Sequence, residues 1–231
     1  MNKFILNRPD DSKSLSRRKI IVTTFKWLIL LMAIAIVLRV ICVVIYRLQG
    51  LNPMEMTKFI GDPTNYLDNA SWTIIAKLMI VAPVMEEVMF RLGLSFKRAT
   101  VALWVGLLPL VCVYYMHHCR VWYILLVVAG IGAILSWLVY HFTTDEQWKV
   151  WRKKYVIPAM WISAIGFGLI HLRAFSVLNL QVFPFAIATI LVPMAGGCAI
   201  TYARVNLGFW WGVLFHCIIN IPPVLVIASA M

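Results

Sequence analysis

The chain has 231 residues, of which 62% are hydrophobic and 13% charged, about half the roughly 25% charged share of a soluble domain. Such a balance excludes an ordinary soluble globular fold. The net charge of +12 does not signal nucleic-acid binding either, because the cations gather at the ends of apolar runs, which is the pattern of membrane topology.

Residues 1–19 carry Lys3, Arg8, Lys13, Arg17, Arg18 and Lys19 and read as a polar basic tail on the cytoplasmic side, lying on anionic head groups. About 20 apolar residues cross a bilayer core, and only helices or closed barrels satisfy the backbone there. Seven runs meet or approach that length, at 21–46, 72–95, 101–116, 121–142, 156–172, 181–203 and 208–229. The first is too long for a signal-peptide core and lacks a small-residue cleavage pattern, so it is a retained helix. The third and fifth are short, which leaves a range of six to eight helices around the count of seven.

Between the runs, 47–71 mixes Pro, Gly, Asn and acids and predicts an exposed loop with one short interfacial helix. The polar stretch 143–155 interleaves Trp with Lys and Arg and reads as an interfacial anchoring loop. Seven alternating spans place Lys97, Arg98, Lys149, Arg152, Lys153, Lys154 and Arg204 on the side of the basic tail, against Arg47, Lys58, Arg120 and Arg173 opposite. The asymmetry predicts a cytoplasmic N-terminus. The fold expected is all-α, a polytopic transmembrane bundle formed by 20–231 as one domain.

Cys42, Cys112, Cys119, Cys198 and Cys217 are scattered without CxxC spacing. They read as small hydrophobes packed among helices rather than as a disulfide framework.

Of nine acidic residues only Glu86 and Glu87 fall inside an apolar run, WTIIAKLMIVAPVMEEVMFRLGL. A carboxylate at membrane depth costs a few kcal/mol and marks a functional site by default. Glu87 and Arg91 are spaced i, i+4 and predict a structural ion pair, whereas Glu86 points about 100° away and is the candidate general base.

Histidine follows the same pattern. His171 stands four residues after Phe167 near the end of one run, and His216 stands four residues before Asn220 within another. His117, His118 and His141 sit at run ends and read as interfacial or packing residues. A carboxylate and an imidazole can deprotonate water while a second imidazole and an amide hold an oxyanion, which is a peptide-hydrolysis set. Glu86, His171 and His216 also match catalytic zinc ligand types, so a metal mechanism is the alternative at this point.

Glu86 to Arg91 (EEVMFR) resembles an EExxxR motif, Phe167 to His171 an FxxxH motif, and His216 to Asn220 an HxxxN motif, in order and on separate runs. Together they resemble the CPBP intramembrane protease family of CAAX proteases and bacteriocin-processing proteins, which includes the type II CAAX prenyl endopeptidase. The similarity covers about residues 72–225. Pro193 to Thr201 (PMAGGCAIT) is similar to a further small-residue motif, and Leu92 departs from the Gly that many members place after the Arg.

The resemblance implies that Glu86 and His171 activate water, that His216 and Asn220 hold the oxyanion, and that Glu87, Arg91 and Phe167 support the site. The family is widely labelled metalloprotease, yet Asn is an uncommon zinc ligand and suits an oxyanion hole, so no cofactor is favoured and zinc is the alternative. No HExxH, GxSxG or GxGD motif is present. The expected partners are a peptide or protein substrate in or at the membrane and the lipid bilayer, with no nucleic acid. Short loops and compact size suggest a bacterial cytoplasmic membrane. Two other readings are a non-catalytic bacteriocin-immunity or scaffold protein of the same fold, and a small transporter with a Glu and His proton relay.

Overall fold

Long apolar segments close their backbone hydrogen bonds internally, and in the computed structural model every regular element among the described residues is accordingly helical. The structure describes residues 16–51, 71–116, 121–175 and 179–229. Helix α1 is Arg17–Leu48, started by the Ser16 side chain accepting from the Lys19 N–H. Helix α2 runs from Trp72–Ala76 through a π-helical turn at Lys77–Val81 into Ala82–Arg91, and closes in a 3-10 turn at Leu92–Ser95. Helix α3 is Arg98–Val111, with a terminal π turn at Cys112–Met116, and α4 is Trp122–Phe142. Helix α5 is Asp145–Ile170 with a 3-10 turn at His171–Ala174, α6 is Phe183–Leu207 and α7 is Phe209–Ala228.

Seven helices among the described residues agree with the seven apolar runs, with one shift. The expected polar loop 143–155 is for the most part helical. Thr144 and Gln147 form a capping box, and Asp145 and Glu146 occupy the first turn, where the helix dipole favours negative charge. The fifth helix therefore begins in the polar stretch and projects it beyond the apolar segment. Most of the expected loop 47–71, with its short interfacial helix, and the residues His117, His118 and Cys119 lie outside the described residues, as does most of the basic tail.

Four helices, α1, α4, α5 with its 3-10 turn, and α6, are long and apolar enough to cross a membrane. Their outward faces carry side chains such as Ile29 (67% exposed), Leu126 (63%) and Ile162 (72%). Apolar exposure on this scale suits a lipid surround rather than water, and the chain is a membrane protein on that composition. His141, at the end of α4, stacks flat on Trp137 at 5.1 Å.

Helix α6 is the hub. Helices α1, α5 and α7 all pack on it, and Ala186, Ala199 and Ala203 along it are fully buried, small residues that let neighbouring backbones approach. Ile20 meets Tyr202, Leu28 meets Ala199, and Tyr46 meets Phe185, so α1 lies antiparallel along α6. The Tyr46 hydroxyl donates to the Gln181 carbonyl and ties the far end of α1 to the start of α6. Helix α2 is held between α7, α3 and α5. Helix α4 packs chiefly on α3, where Gly132 lies so close to the Gly106 carbonyl that no Cβ fits between.

Candidate active site

The break in α2 begins with a proline. Pro83 has no N–H, so the Met79 carbonyl one turn back loses its α-helical donor, and the Ala82 N–H reaches back instead to Lys77, five residues away. The Leu78 carbonyl is thereby left without a donor from its own helix in either register. Unpaired carbonyls at membrane depth cost several kcal/mol each unless another group supplies the hydrogen bond. Helix α7 supplies both. Asn220 Nδ2 donates to the Leu78 carbonyl at 2.8 Å, and the Cys217 thiol donates to the Met79 carbonyl at 2.9 Å. Residues 217 and 220 share one face of α7, so α2 and α7 are joined along a line.

One face of α7 therefore presents Gly212, His216 and Asn220 to α2. Opposite lies the ion pair expected from spacing: Glu87 and Arg91 are both fully buried and paired through Oε1 and Nη1. Arg91 Nε donates to Thr201 Oγ1 at 2.9 Å, and the guanidinium sits 4.5 Å over the Phe167 ring. Two glycines make the space. A Cβ on Gly197 would stand 2.9 Å from the Phe167 ring and 3.2 Å from Arg91 Nη2, and a Cβ on Gly212 would stand 2.7 Å from Glu87 Oε2. The small-residue motif of α6 thus has a physical task, since Gly197 and Thr201 form the cradle of Arg91. A second buried cation, Arg204, lies beside Glu87 and donates from Nη2 to the Leu92 carbonyl at 3.2 Å.

His216 lies between the two acids. Its Nδ1 is 3.2 Å from Glu87 Oε1 and its Nε2 is 3.3 Å from Glu86 Oε2, with the ring almost wholly buried and Glu86 16% exposed. Lone pairs facing each other at these distances would repel, so each contact requires a hydrogen. An imidazolium supplies one from each nitrogen. A neutral imidazole suffices only with Glu86 in its acid form. The series Thr201, Arg91, Glu87, His216, Glu86 is thus a continuous polar chain through an apolar bundle.

His171 ends α5 with Nδ1 2.8 Å from the Phe167 carbonyl. A carbonyl only accepts, so Nδ1 carries the hydrogen and the neutral ring keeps Nε2 as a lone pair. The Phe167 ring stands edge-on to both imidazoles, 5.1 Å from His171 and 5.3 Å from His216. It stands in contact with both rings.

Among the described residues no group of three or more His, Cys, Asp or Glu side chains could hold a metal ion. His216 has both ring nitrogens on carboxylates, and the Phe167 ring stands edge-on to it and to His171.

All seven residues singled out from the sequence lie on α2, α5 or α7, and five of them (Glu86, Glu87, Arg91, Phe167 and His216) join in one contact network that His171 reaches through Phe167. Asn220 is placed differently, with one amide hydrogen on Leu78. Cys217, read as a plain packing residue, is a hydrogen-bond donor to the backbone of α2. Arg204, counted from the sequence as a topology charge, is buried beside Glu87. No family model, curated protein or solved structure matches this chain.

Proposed function

We propose that the chain is an intramembrane endopeptidase of the CAAX-processing and bacteriocin-processing type, a multi-pass protein of a bacterial cytoplasmic membrane with its N-terminus inside. The observation that carries the proposal is the burial of His216 between two carboxylates, one of them, Glu86, partly open, in an otherwise apolar bundle.

In this reading Glu86 takes one proton of a water whose other hydrogen is held by the Nε2 lone pair of His171, and the oxygen attacks the scissile amide carbonyl. The carbonyl oxygen becomes an oxyanion that takes the His216 Nε2–H, released by Glu86 as that carboxylate is protonated, and the amide hydrogen of Asn220 not used on Leu78. Glu87, ion-paired with Arg91, accepts from His216 Nδ1–H and so fixes the orientation of the ring, with Nε2 toward Glu86. Glu86 then returns its proton to the leaving amine. A positioned general base contributes about 10²–10⁴-fold, and one oxyanion donor about 10²–10³-fold.

The test is cleavage of a quenched fluorescent peptide library by detergent-purified protein. Glu86→Gln keeps the shape and removes the base, and cleavage is expected to fall by about 10³-fold or more, with a chelator leaving the wild type unchanged. Loss with chelator and recovery with zinc would move the reading to a metal mechanism. A Glu86→Gln variant as active as wild type would remove the proposed base, and a wild type that cleaves nothing would favour a binding protein of the same fold.

A further inference from the structure

We infer that Cys217 is a positioning residue: its thiol, by donating to the Met79 carbonyl, sets the height and rotation of the carboxylate-bearing half of α2 against His216. The inference rests on the hydrolytic reading of the site, and the bond itself does not.

Pro83 creates the need. It cannot donate to Met79, and at the π turn that precedes it the Leu78 and Met79 carbonyls are taken up by Asn220 and Cys217 of α7. Glu86 and Glu87 lie about two turns further along the same helix. On α7 the clamp and the site are adjacent in sequence, since His216, which meets both carboxylates, is the residue before Cys217. A rotation of α2 about its axis that broke the Met79 bond would also swing Glu86 and Glu87 off the imidazole. The thiol is only half-buried and is directed at a backbone oxygen, which suits an anchor and not a nucleophile. A thiol is a weak donor, but Pro83 removes the N–H that Met79 would otherwise take in the α register.

The prediction separates donor chemistry from packing. Cys217→Ser keeps a donor, and Cys217→Val keeps the bulk without one. In peptide cleavage by the full chain, Cys217→Ser is expected within about twofold of wild type, and Cys217→Val is expected to lose about tenfold in kcat with KM changed less than about twofold. In thermal unfolding in the same detergent, Cys217→Val is expected to fall about 2–4 °C below Cys217→Ser.

Pro83→Ala restores a backbone N–H for Met79, so both losses should shrink when Cys217→Val is placed in that background. Equal kcat and Tm for the Ser and Val variants, or equal losses in both backgrounds, would overturn the inference. The thermal cycle reads the clamp even if wild type cleaves no peptide. Coupling without cleavage would defeat the hydrolytic reading and keep the bond, whereas cleavage without coupling would defeat the positioning role alone.

Discussion

Replacing Arg91 with Met tests whether the buried charges form one unit. Arg91 neutralises Glu87, bonds Thr201 and lies over the face of Phe167, all without solvent exposure. Methionine fills much of the volume and removes the charge, leaving Glu87 buried without its ion-pair partner, beside His216 and Arg204. Breaking a buried pair from one side costs about 3–5 kcal/mol, and loss of a desolvated cation–π contact accounts for up to about 2 kcal/mol. The two overlap and do not add in full. A chain of this size shifts about 2–4 °C per kcal/mol, so a fall of roughly 8–15 °C is expected, read by tryptophan fluorescence during thermal unfolding in detergent. The control is Glu87→Gln combined with Arg91→Met, in which the new amide oxygen still accepts from His216 Nδ1 and no carboxylate is left buried without its cation. Most of the lost stability should return. If the single variant unfolds no earlier than the double, the ion pair does not carry the weight assigned to it.

The two close approaches of glycine give contrasting predictions. Gly212→Ala places a methyl 2.7 Å from Glu87 Oε2, at the tip of a side chain, so the carboxylate shifts and the cost in stability is modest. Because Glu87 holds His216, kcat should fall about tenfold or more while Tm drops only a few degrees. Gly132→Leu instead drives a side chain into the Gly106 backbone and must part α3 from α4. Overpacking of this kind costs about 1–3 kcal/mol, or roughly 3–10 °C. Gly130→Leu, where the added group meets open space, should leave Tm unchanged. Equal behaviour of the Gly130 and Gly132 variants would refute the close crossing.

The helices were legible because apolar length is a one-dimensional signal. The run 181–203 corresponds to Phe183–Leu207, and 121–142 to Trp122–Phe142. Where backbone bonding rather than hydropathy sets the geometry, the apolar pattern is silent. The run 72–95 reads as one span, yet Pro83 splits its hydrogen-bond ladder, and the early start of α5 lies in the Thr144 to Gln147 capping box. In the site, Glu87 with Arg91 could be paired from spacing because both residues ride on one helix. The meeting of Glu86 with His216 depends on how α2 crosses α7, which no spacing within either helix encodes. Arg204 was hidden by its position near a helix end, where a cation normally reads as topology, although the Gly and Ala around it leave room for a buried guanidinium.

The i, i+4 pairing of Glu87 and Arg91 also bears on biosynthesis. The chain emerges from the ribosome in order, so in the proposed multi-pass topology α2 enters the bilayer more than a hundred residues before His216 exists, with two acids and no histidine to meet them. Because Arg91 travels on the same helix one turn away, the segment carries its own counter-ion, and only the charge of Glu86 awaits a partner. Helix α7 brings His216, Asn220 and Cys217 together, closing the carbonyls of the π turn and completing the polar chain in one docking event. On the hydrolytic reading a nascent chain is thus inert until α7 is in place, and the membrane is spared a half-built hydrolase.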